Sequence, residues 1–241
     1  MSGPVEWTAP GQQPDEPTVQ VVVARHREDV SWLEGLGMPG IVYDKSGGPE
    51  SHIPSTIGLP VIGLPNIGRE THTYLTHIVR SYPDFPDYTV FLQGSPFVHM
   101  GPEAGPDTLK AAIERNIRLG VQFTGFAWYK LKCDRLGRPH DLAKPENQGK
   151  WLGWGKDIPV GEVYARLFAC GVPETFLVTA PAGMLFVARA RILARPLQFY
   201  QVALELIEAD PQDENNTGHA FERLWGIVFN GNKALNRETT A

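Results

Sequence analysis

The sequence predicts a mixed α/β fold in a single domain, with a mostly parallel sheet flanked by helices. Two observations predict this class. Short apolar runs rich in β-branched residues alternate with segments whose apolar residues recur at helical spacing. The later apolar runs are shorter and follow one another closely, which indicates that the sheet is mixed. With 241 residues, of which 42% are hydrophobic, the chain suffices for one domain with a sizeable core.

The first half of the chain predicts three strands with helices between them. Residues 19–24 form a continuous β-branched run, which is typical of a strand buried on both faces. Residues 40–43 and 88–92 predict the second and third strands. A short helix ending near Gly37 separates the first two strands, and a helix after Asn66 precedes the third. The apolar face of that second helix consists of Tyr74, Leu75, Ile78, Val79 and Tyr82.

The second half predicts more helices and shorter strands. Asp107 is expected to cap a helix that Gly120 closes. Residues 121–132 alternate enough to predict one or two antiparallel strands, and residues 159–169 predict a further helix. The remaining predicted elements are strands at 176–178 and 184–187, helices at 189–194 and 196–207, and a last helix with Phe221, Leu224, Trp225 and Val228 on one face.

A leader and two long loops lie outside these elements. Residues 1–17 have neither the positive n-region nor the apolar h-region of a secretory signal, so we predict a disordered leader followed by one catalytic domain at 18–241. The Gly- and Pro-rich loop 46–65 and the polar loop 135–155, which contains Trp151 and Trp154, flank a polar strand edge. Such loops suit lids that close over a ligand, although their composition also fits plain surface loops.

Composition narrows the range of partners. The net charge is −5 with acids and bases intermixed, so no broad basic face indicates nucleic acid. No window is apolar for the ~20 residues that a membrane span needs. Cys133 and Cys170 lack CxxC spacing, which favours a reducing compartment over a disulfide framework. We therefore predict a cytoplasmic protein with a small-molecule substrate and without nucleic-acid or membrane partners.

Each early strand becomes polar at its carboxyl end. Arg25 follows the first strand, Asp44 and Lys45 follow the second, and Gln93 follows the third. Ligands bind at the carboxyl ends of the strands in open α/β sheets. If the strands are parallel, these residues share one edge of the sheet and predict a small-molecule site there. The alternative is that strands simply end in polar turns.

The densest polar stretch begins at Asn66 and leads into the second helix. Gly68 allows the backbone to approach a ligand, the first N–H groups of the helix favour an anion, and Arg69 can chelate a phosphate or carboxylate. The alternative is that Asn66 only caps the helix and that Glu70 only complements its dipole.

The histidines of this helix do not predict a metal site by themselves. Glu70 and His77 are two turns apart, about 10 Å, and His72 lies on another side of the helix. A metal would have to combine one of these residues with a ligand from elsewhere, namely His99, His52, Asp44 or His26. A histidine hydrogen-bonded inside the core is the commoner arrangement, so we assign no metal ligands.

Several blocks of the sequence resemble an uncharacterised family, a domain of unknown function of roughly this length. The blocks cover most of residues 19–230. They are Val22-Val23-Ala24-Arg25 with Glu28-Asp29 and Trp32-Leu33, Val42-Tyr43-Asp44-Lys45, Asn66-Ile67-Gly68-Arg69-Glu70 with His72, Tyr74-Leu75 and His77, Phe91-Leu92-Gln93-Gly94 with Pro96 and His99, Ile192-Leu193-Ala194-Arg195-Pro196 with Phe199-Tyr200, and Glu222-Arg223-Leu224-Trp225.

The order of these blocks is similar to that of nucleotide-sugar glycosyltransferases of the GT-A type. In those enzymes a first strand edge serves the nucleotide, a middle strand ends at the sugar, and a late helix is acidic. The resemblance implies a GT-A-like (Rossmann-like) fold and a nucleotide-sugar donor. GT-A enzymes commonly hold Mn²⁺ or Mg²⁺ with Asp-x-Asp after the middle strand, whereas this sequence has Gln93-Gly94-Ser95 there and no Asp-x-Asp. It therefore implies either a metal-independent transferase or another chemistry, and whether a divalent metal takes part stays open.

The leading hypothesis is a glycosyltransferase-like enzyme acting on a small acceptor. Arg25, Lys45 and Arg69 would neutralise the diphosphate leaving group, and Glu222, His99 or Glu70 would activate the acceptor hydroxyl. Catalytic roles are predicted for Glu70, His72, His99 and Glu222, and substrate- or phosphate-binding roles for Arg25, Asp44, Lys45, Asn66, Arg69 and Gln93. The alternatives are a lyase, cyclase or hydrolase that uses His72, His99 and Glu70 for acid–base or metal chemistry, and a non-catalytic ligand-binding protein.

Overall fold

A six-stranded sheet forms the centre of the computed structural model, which describes residues 16–47, 58–138, 157–168 and 170–229. The strands are β1 (Val19–Arg25), β2 (Gly40–Asp44), β3 (Val61–Gly63), β4 (Tyr88–Gln93), β5 (Phe123–Gly125), β6 (Leu131–Asp134), β7 (Thr175–Val178) and β8 (Leu185–Ala188). The helices are α1 (Trp32–Leu36), α2 (Arg69–Ser81), α3 (Phe97–Met100), α4 (Pro106–Arg118), α5 (Val160–Phe168), α6 (Arg189–Ile192), α7 (Leu197–Glu208) and α8 (Thr217–Val228).

The strand order of the large sheet is β3-β2-β1-β4-β8-β5. Strands β1 to β4 are parallel to their neighbours within that group, and β8 runs antiparallel to both β4 and β5. A separate two-stranded antiparallel sheet pairs β6 with β7. The prediction of a single α/β domain with a mixed, mostly parallel sheet is confirmed.

The register of the parallel strands brings their carboxyl ends to one edge. Arg25 lies beside Asp44 across β1 and β2, Ala24 pairs with Gln93 across β1 and β4, and Asp44 pairs with Gly63. Strand pairing therefore places together the polar residues that follow each strand. We call this the polar edge of the sheet.

Both faces of the sheet are covered, as the continuous β-branched runs predict. Alternate residues of β1 and β4 enter two cores. Val22 and Phe91 pack on the side of α2, α5, α7 and α8, whereas Val23 and Leu92 pack on the side of α1 and α4. On the first side the ring of Tyr74 on α2 contacts the rings of both Phe91 on β4 and Trp225 on α8. Helices α2 and α8 therefore pack next to each other on this face of the sheet.

The structure corrects three details of the predicted elements. Strand β3 lies inside the segment 46–65, for which the sequence predicts a loop, and α3 is a short helix that the sequence pattern does not indicate. Gly105, and not Asp107, is the N-cap of α4, and Asp107 lies in the first turn. Proline at the first helical position explains the earlier start, since its fixed φ suits that position.

Some predictions fall on residues outside the described ranges. Most of the leader, the centre of the loop 46–65, His52, and the segment 139–156 with Trp151 and Trp154 belong to this group. Within the described residues no helix is both long enough and apolar enough to cross a membrane.

Candidate functional site

A tight turn at Gly68 begins α2. Gly68, and not Asn66, is the N-cap residue, and Gly68 and Arg69 both have positive φ, 55° and 53°. A Cβ at Gly68 would lie 2.0 Å from Cγ2 of Ile207 on α7. Only glycine fits there, because the position needs a left-handed backbone and has no room for a side chain. The turn leaves the Arg69 side chain 43% exposed.

Lys45 fastens this turn to the end of β2. Lys45 is only 3% exposed, and its Nζ donates hydrogen bonds to the carbonyl oxygens of Ile67 and Arg69. Burial lowers the pKa of Lys45 to about 8, the Glu70 charge opposes that shift and the Arg69 charge adds to it. The predicted phosphate-binding amine is thus engaged with the backbone of the neighbouring turn.

Arg25 and Asp44 form a buried ion pair between the ends of β1 and β2. The distance from Arg25 Nη1 to Asp44 Oδ1 is 2.8 Å, and both side chains are less than a tenth exposed. Arg25 Nε also donates to the Glu28 carbonyl at 2.9 Å, while Asp44 accepts from the Ser46 hydroxyl at 2.8 Å. The ion pair lies at the polar edge of the sheet and is nearly inaccessible to solvent.

Asn66 extends the same cluster on its exposed side. Its Nδ2 lies 3.4 Å from Nε2 of His26, which follows β1 directly. Five predicted binding residues therefore lie in one connected region at the ends of β1 and β2 and in the turn before α2: Arg25, Asp44, Lys45, Asn66 and Arg69.

Gln93 and Glu222 hold a second turn, formed by Pro181, Ala182 and Gly183 between β7 and β8. The backbone N of Ala182 donates to Glu222 Oε1 at 2.6 Å, and Gln93 Nε2 donates to the Ala182 carbonyl at 2.8 Å. Ala182 has a φ of 63°, an uncommon left-handed conformation for a residue other than glycine. The end of β4 and the helix α8 thus fix the turn from two sides.

Glu70 joins the two turns. A Cβ at Gly183 would lie 3.0 Å from Glu70 Oε1, and the other Glu70 oxygen is 3.9 Å from Nε of Arg69. Burial raises the pKa of the Glu70 carboxyl, the charge of Arg69 opposes that shift, and the charge of Glu222 adds to it. The second carboxylate, Glu222, is bound by Ala182 N and lies 3.0 Å from Nη1 of Arg223. Two carboxylates therefore share the site in different environments.

His219 and Asp213 belong to the same region, and the sequence reasoning missed both. His219 Nδ1 is 3.2 Å from Asp213 Oδ2, and Gly218 N donates to Asp213 Oδ1 at 2.8 Å. Burial works to raise the pKa of the Asp213 carboxyl, but these hydrogen bonds hold it below its ordinary value. A Cβ at Gly218 would lie 3.1 Å from Cδ of Arg69, so this pair adjoins the start of α2. The available signal was spacing, since His219 and Glu222 are three residues apart on one helix and share a face.

His72 lies on the side of α2 that faces α7. It is 3% exposed, and its Nε2 is 3.8 Å from Oε1 of Glu208. Burial lowers the pKa of His72 to about 4, and the charges of Lys45 and Arg80 add to that shift. His77 is also buried, 3.1 Å from the hydroxyl of Tyr43, and burial lowers its pKa to about 4. Both are neutral core histidines at physiological pH.

His99 lies on the half-exposed helix α3, next to the segment that follows β5. Its carbonyl accepts a hydrogen bond from the N of Trp128 at 3.2 Å. Within the described ranges its side chain makes no hydrogen bond or ion pair. His99 is partly exposed, and within these ranges no hydrogen bond or ion pair joins its side chain to Glu70 or Glu222, so its catalytic role stays a prediction. Nor do the described residues contain three or more His, Cys, Asp or Glu side chains grouped so as to hold a metal ion.

Comparison with known protein families finds a match over most of the chain. The family described as Protein of unknown function (DUF3431) matches residues 21–240, a range that includes every residue of the two turns and the polar edge. A search of curated proteins found none that matches the chain.

Proposed function

We propose that this chain, which belongs to the DUF3431 family of proteins of unknown function, is a glycosyltransferase-like enzyme whose active site is the polar edge of the sheet. One observation carries the proposal. A partly exposed cation, Arg69, adjoins a largely buried carboxylate, Glu70, whose pKa is raised by burial, with the charge of a second carboxylate, Glu222, adding to that shift. Such a site can hold an anionic leaving group next to a general base.

The donor half of the site is the turn before α2. Arg69 presents its guanidinium at a helix N-terminus, where backbone N–H groups and the helix dipole favour a phosphate. Arg25 and Lys45 are buried and bound to Asp44 and to the turn, so their proposed role is to position Arg69. Asn66 lies on the exposed side of the same turn.

The acid–base half is the pair of carboxylates. Glu222 accepts a hydrogen bond from Ala182 N on one oxygen, and its other oxygen lies 3.0 Å from Nη1 of Arg223. Glu70 is the proposed base, because burial raises its pKa and a carboxylate with a raised pKa accepts a proton more readily.

The proposed step transfers a sugar. The acceptor hydroxyl oxygen bonds to the anomeric carbon, and the bond between that carbon and the diphosphate breaks. The bonding electron pair leaves on the phosphate oxygen, where Arg69 stabilises the new negative charge. The hydroxyl proton passes to Glu70. His219, held by Asp213, positions the start of α2 for this step.

The resemblance to GT-A enzymes supports the same assignment of roles. Their middle strand ends at the sugar, and here β4 ends at Gln93, which binds the turn beside Glu70. Their late helix is acidic, and here α8 supplies Glu222. The order of functional elements along the chain is therefore consistent with a nucleotide-sugar donor.

A second candidate is a hydrolase, lyase or cyclase that uses no nucleotide. The observation favouring it is the same carboxylate pair, because two carboxyl groups in one site also serve acid–base chemistry on other substrates. In that case Arg69 would bind a carboxylate or phosphate of the substrate itself.

The test is release of nucleoside diphosphate from a panel of sugar nucleotides, with and without Mn²⁺. We expect one donor to be consumed, and Glu70→Gln to lower that rate by about 10²-fold or more. Glu114→Gln, an exposed glutamate on α4, is the matched control and should keep the wild-type rate. Turnover of a substrate without nucleotide, together with no turnover of any sugar nucleotide, would support the second candidate.

A further inference from the structure

An exposed tryptophan lies beside the site without a role in the mechanism above. Trp128 is 73% exposed, in the segment that leaves β5, and Val98 on α3 is 77% exposed. They are the two most exposed large apolar side chains of the described residues.

The backbone of this segment is fixed against the active-site turn. A Cβ at Gly125 would lie 2.6 Å from Cα of Ala180, so the end of β5 and the start of the turn touch closely there. Phe126 N donates to the Met184 carbonyl at 3.1 Å, and Trp128 N donates to the His99 carbonyl at 3.2 Å. The segment therefore runs from the turn that Glu222 and Gln93 hold to the helix that carries His99.

Tyr129 connects the exposed indole to the carboxylates. Its ring lies edge-on to that of Trp128, with 5.5 Å between the ring centroids. Burial raises the pKa of the Tyr129 hydroxyl, and the charge of Glu222 adds to the shift while that of Arg223 opposes it. Tyr129 is thus in contact with Trp128 and within reach of the charge of Glu222.

The chemistry of this surface matches a sugar ring. A pyranose has an apolar C–H face that stacks on an aromatic ring, and hydroxyls around its edge that need donors and acceptors. Trp128 offers the aromatic face. Polar groups come from its two neighbours, His99, whose carbonyl accepts from the Trp128 N, and Tyr129, whose ring contacts the indole.

We propose that Trp128, Tyr129 and His99 form the acceptor subsite, which takes a pyranose ring of a carbohydrate acceptor stacked on the indole of Trp128. This inference rests on the proposed transferase and names its acceptor class. The stacked ring would direct one hydroxyl towards Glu70 and Glu222, while the donor occupies the Arg69 turn.

The test uses the full chain and saturation-transfer NMR with a panel of methyl glycosides and disaccharides. We expect saturation of ring C–H protons in at least one sugar, and a loss of affinity of about tenfold or more in Trp128→Ala. Trp128→Phe retains an aromatic face and should retain most of the binding. Leu177→Ala, on the edge of the small sheet, removes a similarly exposed apolar residue and should have no effect.

The two proposals fail in different ways. If no sugar binds the wild type with or without nucleotide, or if Trp128→Ala binds as tightly as the wild type, the acceptor subsite is refuted. Binding of nucleotides to the wild type is measured separately by thermal shift. Sugar binding that depends on Trp128 without any nucleotide binding would keep the subsite and remove the sugar-nucleotide transferase.

Discussion

Glu222 Oε1 accepts a 2.6 Å hydrogen bond from the backbone N of Ala182, a residue held at a φ of 63°. A carboxylate of the last helix thus stabilises a left-handed residue in the turn between β7 and β8. The same turn packs Gly183 against Glu70. The contact made by one carboxylate therefore determines the surroundings of the other, which is why we treat Glu70 and Glu222 as one unit.

Glu70→Gln should stabilise the protein at neutral and alkaline pH. The raised pKa of Glu70 means that the folded state holds its proton more tightly than the unfolded chain. The free energy of unfolding therefore falls as pH rises from the ordinary pKa of a glutamate through the raised one, and stays lowered above it. Gln removes this penalty. Urea unfolding at a series of pH values above 4.5 should show an advantage over wild type that first grows with pH and then becomes constant. A lower stability at every pH would contradict the assignment.

Gly68→Ala should destabilise the protein more than Gly120→Ala, although both glycines have a left-handed backbone. Gly120 has a φ of +60°, and a Cβ there would meet nothing within 4 Å, so Gly120→Ala measures the backbone cost alone, about 1 kcal/mol. Gly68→Ala adds the contact with Ile207 on α7, which should cost about 1–3 kcal/mol more. Equal losses of unfolding free energy in the two variants would show that a Cβ at position 68 makes no steric clash with α7.

The two core histidines should weaken the fold on acidification. Both stay neutral in the folded state down to a pKa of about 4, whereas in the unfolded chain they take a proton near pH 6.5. Each neutral histidine therefore contributes to the free energy of unfolding above pH 6.5, and this contribution is lost as pH falls towards 4. The loss is on the order of 3 kcal/mol per histidine at most. Unfolding of the His72→Gln/His77→Gln double variant should depend less on pH in this window. If the unfolding free energy of the double variant depends on pH as steeply as that of the wild type, the two histidines do not cause this dependence.

Arg195→Ala should cost about 2 kcal/mol of unfolding free energy. The Arg195 side chain is buried over the rings of Phe168 and Phe199, and it donates at 3.3 Å to the carbonyls of Ile227 and Val228 at the end of α8. A buried cation at a helix C-terminus contributes about this much. Arg189→Ala, which breaks an exposed ion pair with Asp87, is the control and should cost less than about 1 kcal/mol. Similar costs for the two variants would contradict a structural role for Arg195.

The positions of Arg25, Asp44 and Gln93 were predictable from the sequence because the signal is local. A β-branched run ends in polar residues, and parallel pairing brings such ends together. Nearly all the helices were predictable from the spacing of apolar residues, because that spacing is also a local signal. The short elements β3 and α3 were missed, since three or four residues carry too little periodicity.

The contacts of those side chains were not predictable. Whether Arg25 contacts Asp44 or solvent depends on strand register, and whether Lys45 reaches the turn before α2 depends on burial. The pairing of α2 with the start of α8 joins segments far apart in the chain, since Thr71 donates to the carbonyl of Gly218, 147 residues away. No local pattern encodes such contacts, which is why Asp213 and His219 were missed.

The most direct test of the proposed donor site is thermal unfolding of the wild type and Arg69→Ala with nucleoside diphosphates and sugar nucleotides, with and without Mn²⁺. A ligand at about 100 times its Kd adds about 2.7 kcal/mol to the folded state. We predict that one nucleotide stabilises the wild type, that Arg69→Ala loses the shift, and that Arg118→Ala, an exposed arginine of α4, retains it. An unchanged shift in Arg69→Ala, or no shift with any nucleotide, would contradict a diphosphate site at the start of α2.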